Sequence, residues 1–99
     1  MFTITPELLD EVKAEIYVTW DDEDEQIKNI IKRGMKRLNE LTDVELDFEE
    51  LQNRDLLINF CRYVRNGAGE YFLPNFQDEI LLIQFKEAIK KHEDEQGGL

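Results

Sequence analysis

"DDEDEQIKNIIKRGMKRLNEL", residues 21–41, opens with five consecutive acids and runs directly into aliphatic residues at helical spacing. Ile27, Ile30, Ile31, Met35, Leu38 and Leu41 recur on one stripe, while Lys28, Lys32 and Lys36 form a row at four-residue spacing on another face. Asp22, followed three residues later by Glu25, is a capping-box variant with Asp at the cap, so a long helix is expected to start inside the acid run. Acids at its amino end, with Lys36 and Arg37 towards its carboxyl end, complement the helix dipole. A calcium loop would need alternating oxygen ligands bent around a central glycine and closed by a bidentate Glu at the twelfth position. The run has no glycine and no such turn, so it reads as a solvated helix start, with partner binding as an added role.

Upstream, "TPELLDEVKAEI" places a cap at Thr5, Pro6 at the first helical position and Glu7 in the first turn, with Leu8, Leu9, Val12 and Ile16 at helical spacing. A short helix over about residues 6–16 follows. Downstream, "TDVELDFEEL" (42–51) alternates Val44, Leu46 and Phe48 with acids. It is read as an extended acidic loop whose apolar side chains tuck against the helices; the alternative is an edge strand donated to a neighbouring subunit.

A third helix is expected from about Asn53, its stripe Leu57, Phe60, Cys61, Val64, Ala68, Tyr71 and Phe72 running past "NGAG". Gly67 and Gly69 cost roughly 1 kcal/mol each inside a helix. The segment is read as continuous but weakened, against a break at residue 67 with a loop to 73. Pro74 should end it, and Asn75 should cap a last helix with Asp78 and Glu79 in its first turn. There Phe76, Ile80, Ile83 and Ala88, widened by Leu81, Leu82, Phe85 and Ile89, make a stripe broad enough to imply burial on two sides. Residues 92–99 read as a flexible polar tail. The fold class expected is all-α, a small bundle of about four helices in a single domain spanning residues 1–99.

With 99 residues and 41% hydrophobic content, one core is the most the chain builds. No apolar run approaches the roughly 18 to 20 residues of a membrane span, and the start "MFTITPELLDEV" has no secretory pattern, so a cytoplasmic location is expected. The net charge of −11 argues against gripping nucleic acid through a basic surface. That charge lies in blocks: nine acids and one base in residues 1–25, five bases and one acid in 26–41, six acids and one base in 42–55.

Catalytic chemistry finds little support in these residues. His92, the single histidine, lies in a charged terminal segment, and Cys61, the single cysteine, lies on an apolar stripe without an identifiable base. "NGAGEY" lacks both the P-loop lysine and the Rossmann spacing, and with 23 acids in the chain a close carboxylate pair carries no meaning. No cofactor or metal site is expected, and the chain reads as a non-enzymatic interaction protein. Its candidate contacts are Trp20 beside the acid run, the acids Asp21, Asp22, Glu23, Asp24 and Glu25, the bases Lys28, Lys32, Lys36 and Arg37, and the aromatics Tyr71, Phe72 and Phe76 around Pro74. One subunit's acids meeting the next subunit's lysines would be a heterologous contact, of the kind that closes into rings; the plainer alternative is that these charges stabilise their own helix.

Three segments, "ITPELLDEVKAEI" (4–16), "DDEDEQIKNIIKRGMKRLNELTDVELDF" (21–48) and "LLINFCRYVRNGAGEYFLPNFQDEILLIQ" (56–84), in this order and spacing, make the chain resemble the small helical head-tail connector proteins of tailed bacteriophages and prophages. The resemblance implies a subunit of a homo-oligomeric ring in the virion neck, docked beneath the portal protein. Such a ring extends the DNA channel and offers a surface to a neck or tail-completion protein. DNA would pass through without specific binding, since a surplus of acids repels it. By position, the family's acidic segment corresponds to Asp21–Glu25 and its aromatic corner to Tyr71, Phe72 and Phe76. Gly67 and Gly69 depart from the family's usual helix formers at this place and suggest a hinge. The rival reading is a small acidic inhibitor that imitates DNA in the groove of a host enzyme, and the cluster Lys28, Lys32, Arg33, Lys36 and Arg37 interrupts the carboxylate surface that such a mimic requires.

Overall fold

The structure is a computed structural model that describes residues 3–97, with side chains described to Glu93. Four α-helices follow one another: α1 (Pro6–Glu15), α2 (Asp24–Thr42), α3 (Leu51–Arg65) and α4 (Phe72–Gly97), the last preceded by a single 3-10 turn at Gly69–Tyr71. No strand is present among the described residues, and the fold class is all-α.

α1 starts as its sequence dictates. Thr5 is the cap, its Oγ1 accepting from the Leu8 N–H at 3.1 Å, and Pro6 occupies a position whose N–H would have no helical partner. α1 and α3 then end in the same way. The N–H of Val18 donates to Lys13 O (2.9 Å) and that of Tyr17 to Ala14 O (3.3 Å); the N–H of Ala68 donates to Tyr63 O (2.8 Å) and that of Gly67 to Val64 O (3.1 Å). These paired six-to-one and five-to-two bonds are Schellman closures, which require a left-handed residue just past the helix. Gly67 supplies it at φ 72° and Tyr17 at φ 62°.

Gly67 therefore corrects the expectation of a continuous third helix: a residue at positive φ cannot lie inside a right-handed helix, and α3 stops at Arg65. Two further corrections follow at the next element. α4 begins at Phe72, so Pro74 lies in its first turn, where its missing N–H costs nothing, instead of ending the preceding helix. Asn75 is inside α4 and is not its cap; its Nδ2 donates to the Tyr63 hydroxyl at 3.0 Å. α4 is helical as far as Gly97, through most of the stretch read as a polar tail, and Gly98 and Leu99 lie outside the described residues.

The core is one cluster to which every helix contributes: Leu8 and Val12 of α1, Ile27, Ile31, Met35 and Leu38 of α2, Leu56, Leu57, Ile58 and Cys61 of α3, and Phe72, Ile80 and Ile83 of α4. α2 and α3 make its central seam. They approach so closely that a Cβ at Gly34 would stand 2.7 Å from both Leu57 Cδ1 and Phe60 Cδ1, which is why a glycine sits mid-helix. Residues 43–50 link the two helices. Asp43 opens the link at φ 57°, Leu46 is buried with its N–H donating to Asn39 Oδ1 (2.9 Å), and a turn closes it with the Glu50 N–H on Asp47 O (3.2 Å). α3 begins at Leu51, two residues before the expected Asn53; Asn53 is buried and donates to Asp47 O at 2.9 Å.

Candidate interaction surfaces

The acid run is for the most part engaged within its own chain. α2 begins at Asp24 after Glu23, which makes no side-chain cap bond, so the expected Asp22 cap is corrected. Lys13 of α1 is buried to 8% exposure, and its Nζ meets Asp21 Oδ1 at 2.8 Å and Asp24 Oδ1 at 2.7 Å. Glu23 receives the Arg65 guanidinium from the end of α3 and the Trp20 indole N–H at 2.6 Å, and Glu25 receives Lys28 at 3.3 Å. These contacts replace a capping box: tertiary cations, delivered by α1 and α3, select which acids lie at the helix start. Asp21 is held below the usual carboxylate range by Lys13, and Glu23 by Arg65 and then Trp20; the Lys13 ammonium is raised by Asp21 and Asp24. Asp22 stays exposed, and Trp20 is close to half exposed.

The bases are distributed differently. Lys28 and Lys36 make only local pairs with Glu25 and Glu40 (4.0 Å), and among the described residues Lys32, Arg33 and Arg37 are exposed and enter no ion pair. The outer face of α2 thus presents a basic strip, whereas of the acids before and at its amino end Glu23 and Asp24 are partly buried against α3 and α1, and Asp21, Asp22 and Glu25 are exposed.

The aromatic corner divides. Phe72 is buried, stacked on Phe76 at 5.0 Å and meeting Phe60 and Tyr63 edge-on at 5.3 and 6.0 Å; Phe76 is half-buried and edge-on to Tyr63 at 5.5 Å. Among the residues grouped there, Tyr71 and Leu73 remain exposed. Phe72 is thus buried in the core of its own chain, whereas Tyr71 faces solvent.

A group of exposed apolar side chains lies on α4, where sequence reasoning placed no interface. Leu81, Leu82, Phe85 and Ile89 are 54, 47, 64 and 45% exposed. At 100° per residue they occupy the side of α4 opposite Phe72, Ile80 and Ile83, which face the core. The signal for this surface was the double-sided stripe itself: only one of its two sides is covered. Lys86 and Lys90 turn away from it, to Gln52 Oε1 at 2.8 Å and Glu50 Oε1 at 3.8 Å.

Cys61 is 1% exposed and burial pushes its thiol up to about 12, far from a nucleophile at neutral pH. An open cleft of about 420 Å³ lies between α1 and the 43–50 link, lined by Leu8, Met35, Leu46 and Phe48 together with polar residues that include Thr5, Asp47 and Arg54. Among the described residues no group of His, Cys, Asp and Glu side chains is placed to hold a metal ion, and no helix is long and apolar enough to cross a membrane. No family model, curated protein or solved structure matches the chain.

Proposed function

We propose that this protein is a structural, non-enzymatic subunit of a phage or prophage head-tail connector, which assembles as a ring beneath the portal protein, extends the DNA channel and receives a neck or tail component. The observation that carries the reading is the basic strip Lys32, Arg33 and Arg37 on the outside of α2, exposed and in no ion pair among the described residues, in a chain of net charge −11. A heterologous contact sets this strip of one subunit against an acidic surface of the next, such as the exposed carboxylates of the 43–50 link, and repeats around a closed ring. The acids left over line the channel and let DNA slide. The resemblance of the three quoted segments to the connector family supports the same reading. Against the DNA-mimic alternative, the same strip breaks the carboxylate surface that a mimic needs.

Native mass spectrometry with negative-stain imaging, of the protein alone and with the portal protein of the same phage, tests this. A closed ring with a central hole, lost when Lys32, Arg33 and Arg37 are changed to Glu and weakened by salt, is the expected result. Failure to form a ring in either mixture, together with tight binding to a basic nucleic-acid-binding enzyme, would replace the connector with the mimic.

A further inference from the structure

Among the described residues nothing covers the outward face of α4, yet its residues are arranged symmetrically about Phe85. Leu81 and Ile89 stand four positions to either side, Leu82 and Ala88 three, and Asp78 and His92 seven. In an antiparallel pairing of two such helices, position 85 + n of one faces position 85 − n of the other. Leu81 then meets Ile89, Leu82 meets Ala88, and each Asp78 carboxylate meets the His92 imidazole of the second copy. A parallel pairing in register would set Asp78 on Asp78 and His92 on His92, wasting the complementarity and aligning the two helix dipoles. Both residues are exposed, and among the described residues neither enters an ion pair with its own chain.

We propose that the chain pairs with a second copy of itself through this face, α4 against α4 and antiparallel, about a two-fold axis at Phe85. The proposal stands on α4 alone and is independent of the ring. Four large side chains, each about half exposed, form a patch of several hundred Å² per copy, comparable to the largest apolar patch of ordinary monomers. Two such patches together reach at most about the 1,000 Å² at which specific interfaces begin, so the pair is a reversible, concentration-dependent dimer. This pairing covers the apolar face that a single chain leaves in solvent.

Sedimentation equilibrium from low-micromolar to near-millimolar concentration, in low and in high salt, reads the proposal directly. The expected mass rises from 11.8 kDa towards twice that value with concentration and does so in both salts, because an apolar seam is not screened. Phe85→Glu should weaken the dimer at least tenfold while the thermal melt of the dilute protein stays in place. Under mild oxidation, a mixture of Leu81→Cys and Ile89→Cys proteins should give chiefly the 81–89 disulfide; Cys61, being buried, does not compete. A monomer at every concentration, a dimer that survives Phe85→Glu, or crosslinking chiefly from 81 to 81 would each overturn it. A charge-driven ring is salt-sensitive and larger than two chains, so its presence or failure leaves this reading untouched.

Discussion

Along α2 the apolar residues are all spent: Ile27, Ile31, Met35 and Leu38 are buried, and Ile30 and Leu41 half-buried against them. Along α4, Phe72, Ile80 and Ile83 are buried and Phe76 half-buried, but Leu73, Leu81, Leu82, Phe85 and Ile89 remain in solvent. One helix has an apolar stripe of the width the fold uses, and the other has nearly twice that. A lone amphipathic helix gains its stability from one packed face. The second face of α4 therefore costs solubility without adding to the monomer, which makes it informative about what lies outside the monomer.

The comparison predicts a graded series of stability effects, the largest where apolar surface is already spent. Leu38→Ala in α2, at 0% exposure, and Ile83→Ala on the inner face of α4, at 2%, should each lower unfolding free energy by about 2–5 kcal/mol in urea titrations. Equal losses would mean that the inner face of α4 is as much a part of the core as α2. A loss below about 1 kcal/mol at Ile83 alone would mean that α4 is loosely docked, and the contrast between the two helices would then need another explanation.

The direction in which α4 leaves α3 depends on one left-handed residue. Gly67→Ala should cost roughly 1 kcal/mol: its Cβ would meet nothing within 4 Å, so the penalty is that of positive φ alone. Tyr17 performs the same closure at the end of α1, is 87% exposed, and bears the strain that glycine avoids. Tyr17→Gly should therefore stabilise by up to about 1 kcal/mol. Opposite signs at two identical turns, measured by thermal melts, isolate the backbone term; a gain from Gly67→Ala would instead restore the continuous third helix.

The two turns also indicate how far the sequence could be read. Thr5 and Pro6 announce the start of α1 because cap chemistry is local, and the stripe of α2 is visible because one period runs unbroken for its whole length. Gly67 was ambiguous, since Val64, Ala68, Tyr71 and Phe72 keep helical spacing across it and only its φ separates a kept helix from a Schellman turn. Tyr17 gave no local sign at all. The cap of α2 was illegible for a different reason: among Asp21–Glu25 every residue is acidic, and the choice was made by Lys13 and Arg65, separated from the run by 8 and 42 residues where they meet Asp21 and Glu23. The candidate contact surface was half legible, because the breadth of the α4 stripe could be counted, while which half the fold would cover could not.

Those acids supply a smaller, pH-dependent effect at the amino end of α2. Asp21 and Glu23 have folded pKa values below their ordinary ones, so their contribution is present above the ordinary carboxylate range and is lost as pH falls through the depressed folded values. Lys13, raised in the fold, contributes below its ordinary 10.5 and loses that contribution only as pH rises through its higher folded value. Melts recorded from neutral to acid pH should show destabilisation on the acid side, reduced in Lys13→Met and Arg65→Met. An unchanged acid slope in both variants would mean that these pairs do not anchor α2.

The smallest effect on the monomer is expected at Leu81, and there the contrast between the two helices is tested most directly. Leu81→Gln removes an apolar side chain already more than half in water, so in dilute solution the unfolding free energy should move by no more than about 0.5 kcal/mol. At high concentration the parent protein gains stability by mass action if its folded form pairs through α4, and its melting temperature should climb with concentration. For Leu81→Gln the climb should flatten, while Leu38→Ala, whose side chain lies inside the subunit, should keep the same slope from a lower starting point. A residue that leaves the dilute melt in place but removes its concentration dependence contributes to the contact between copies and not to the fold of one. A parent whose melt does not move with concentration would mean that the spare face of α4 is not covered by another copy.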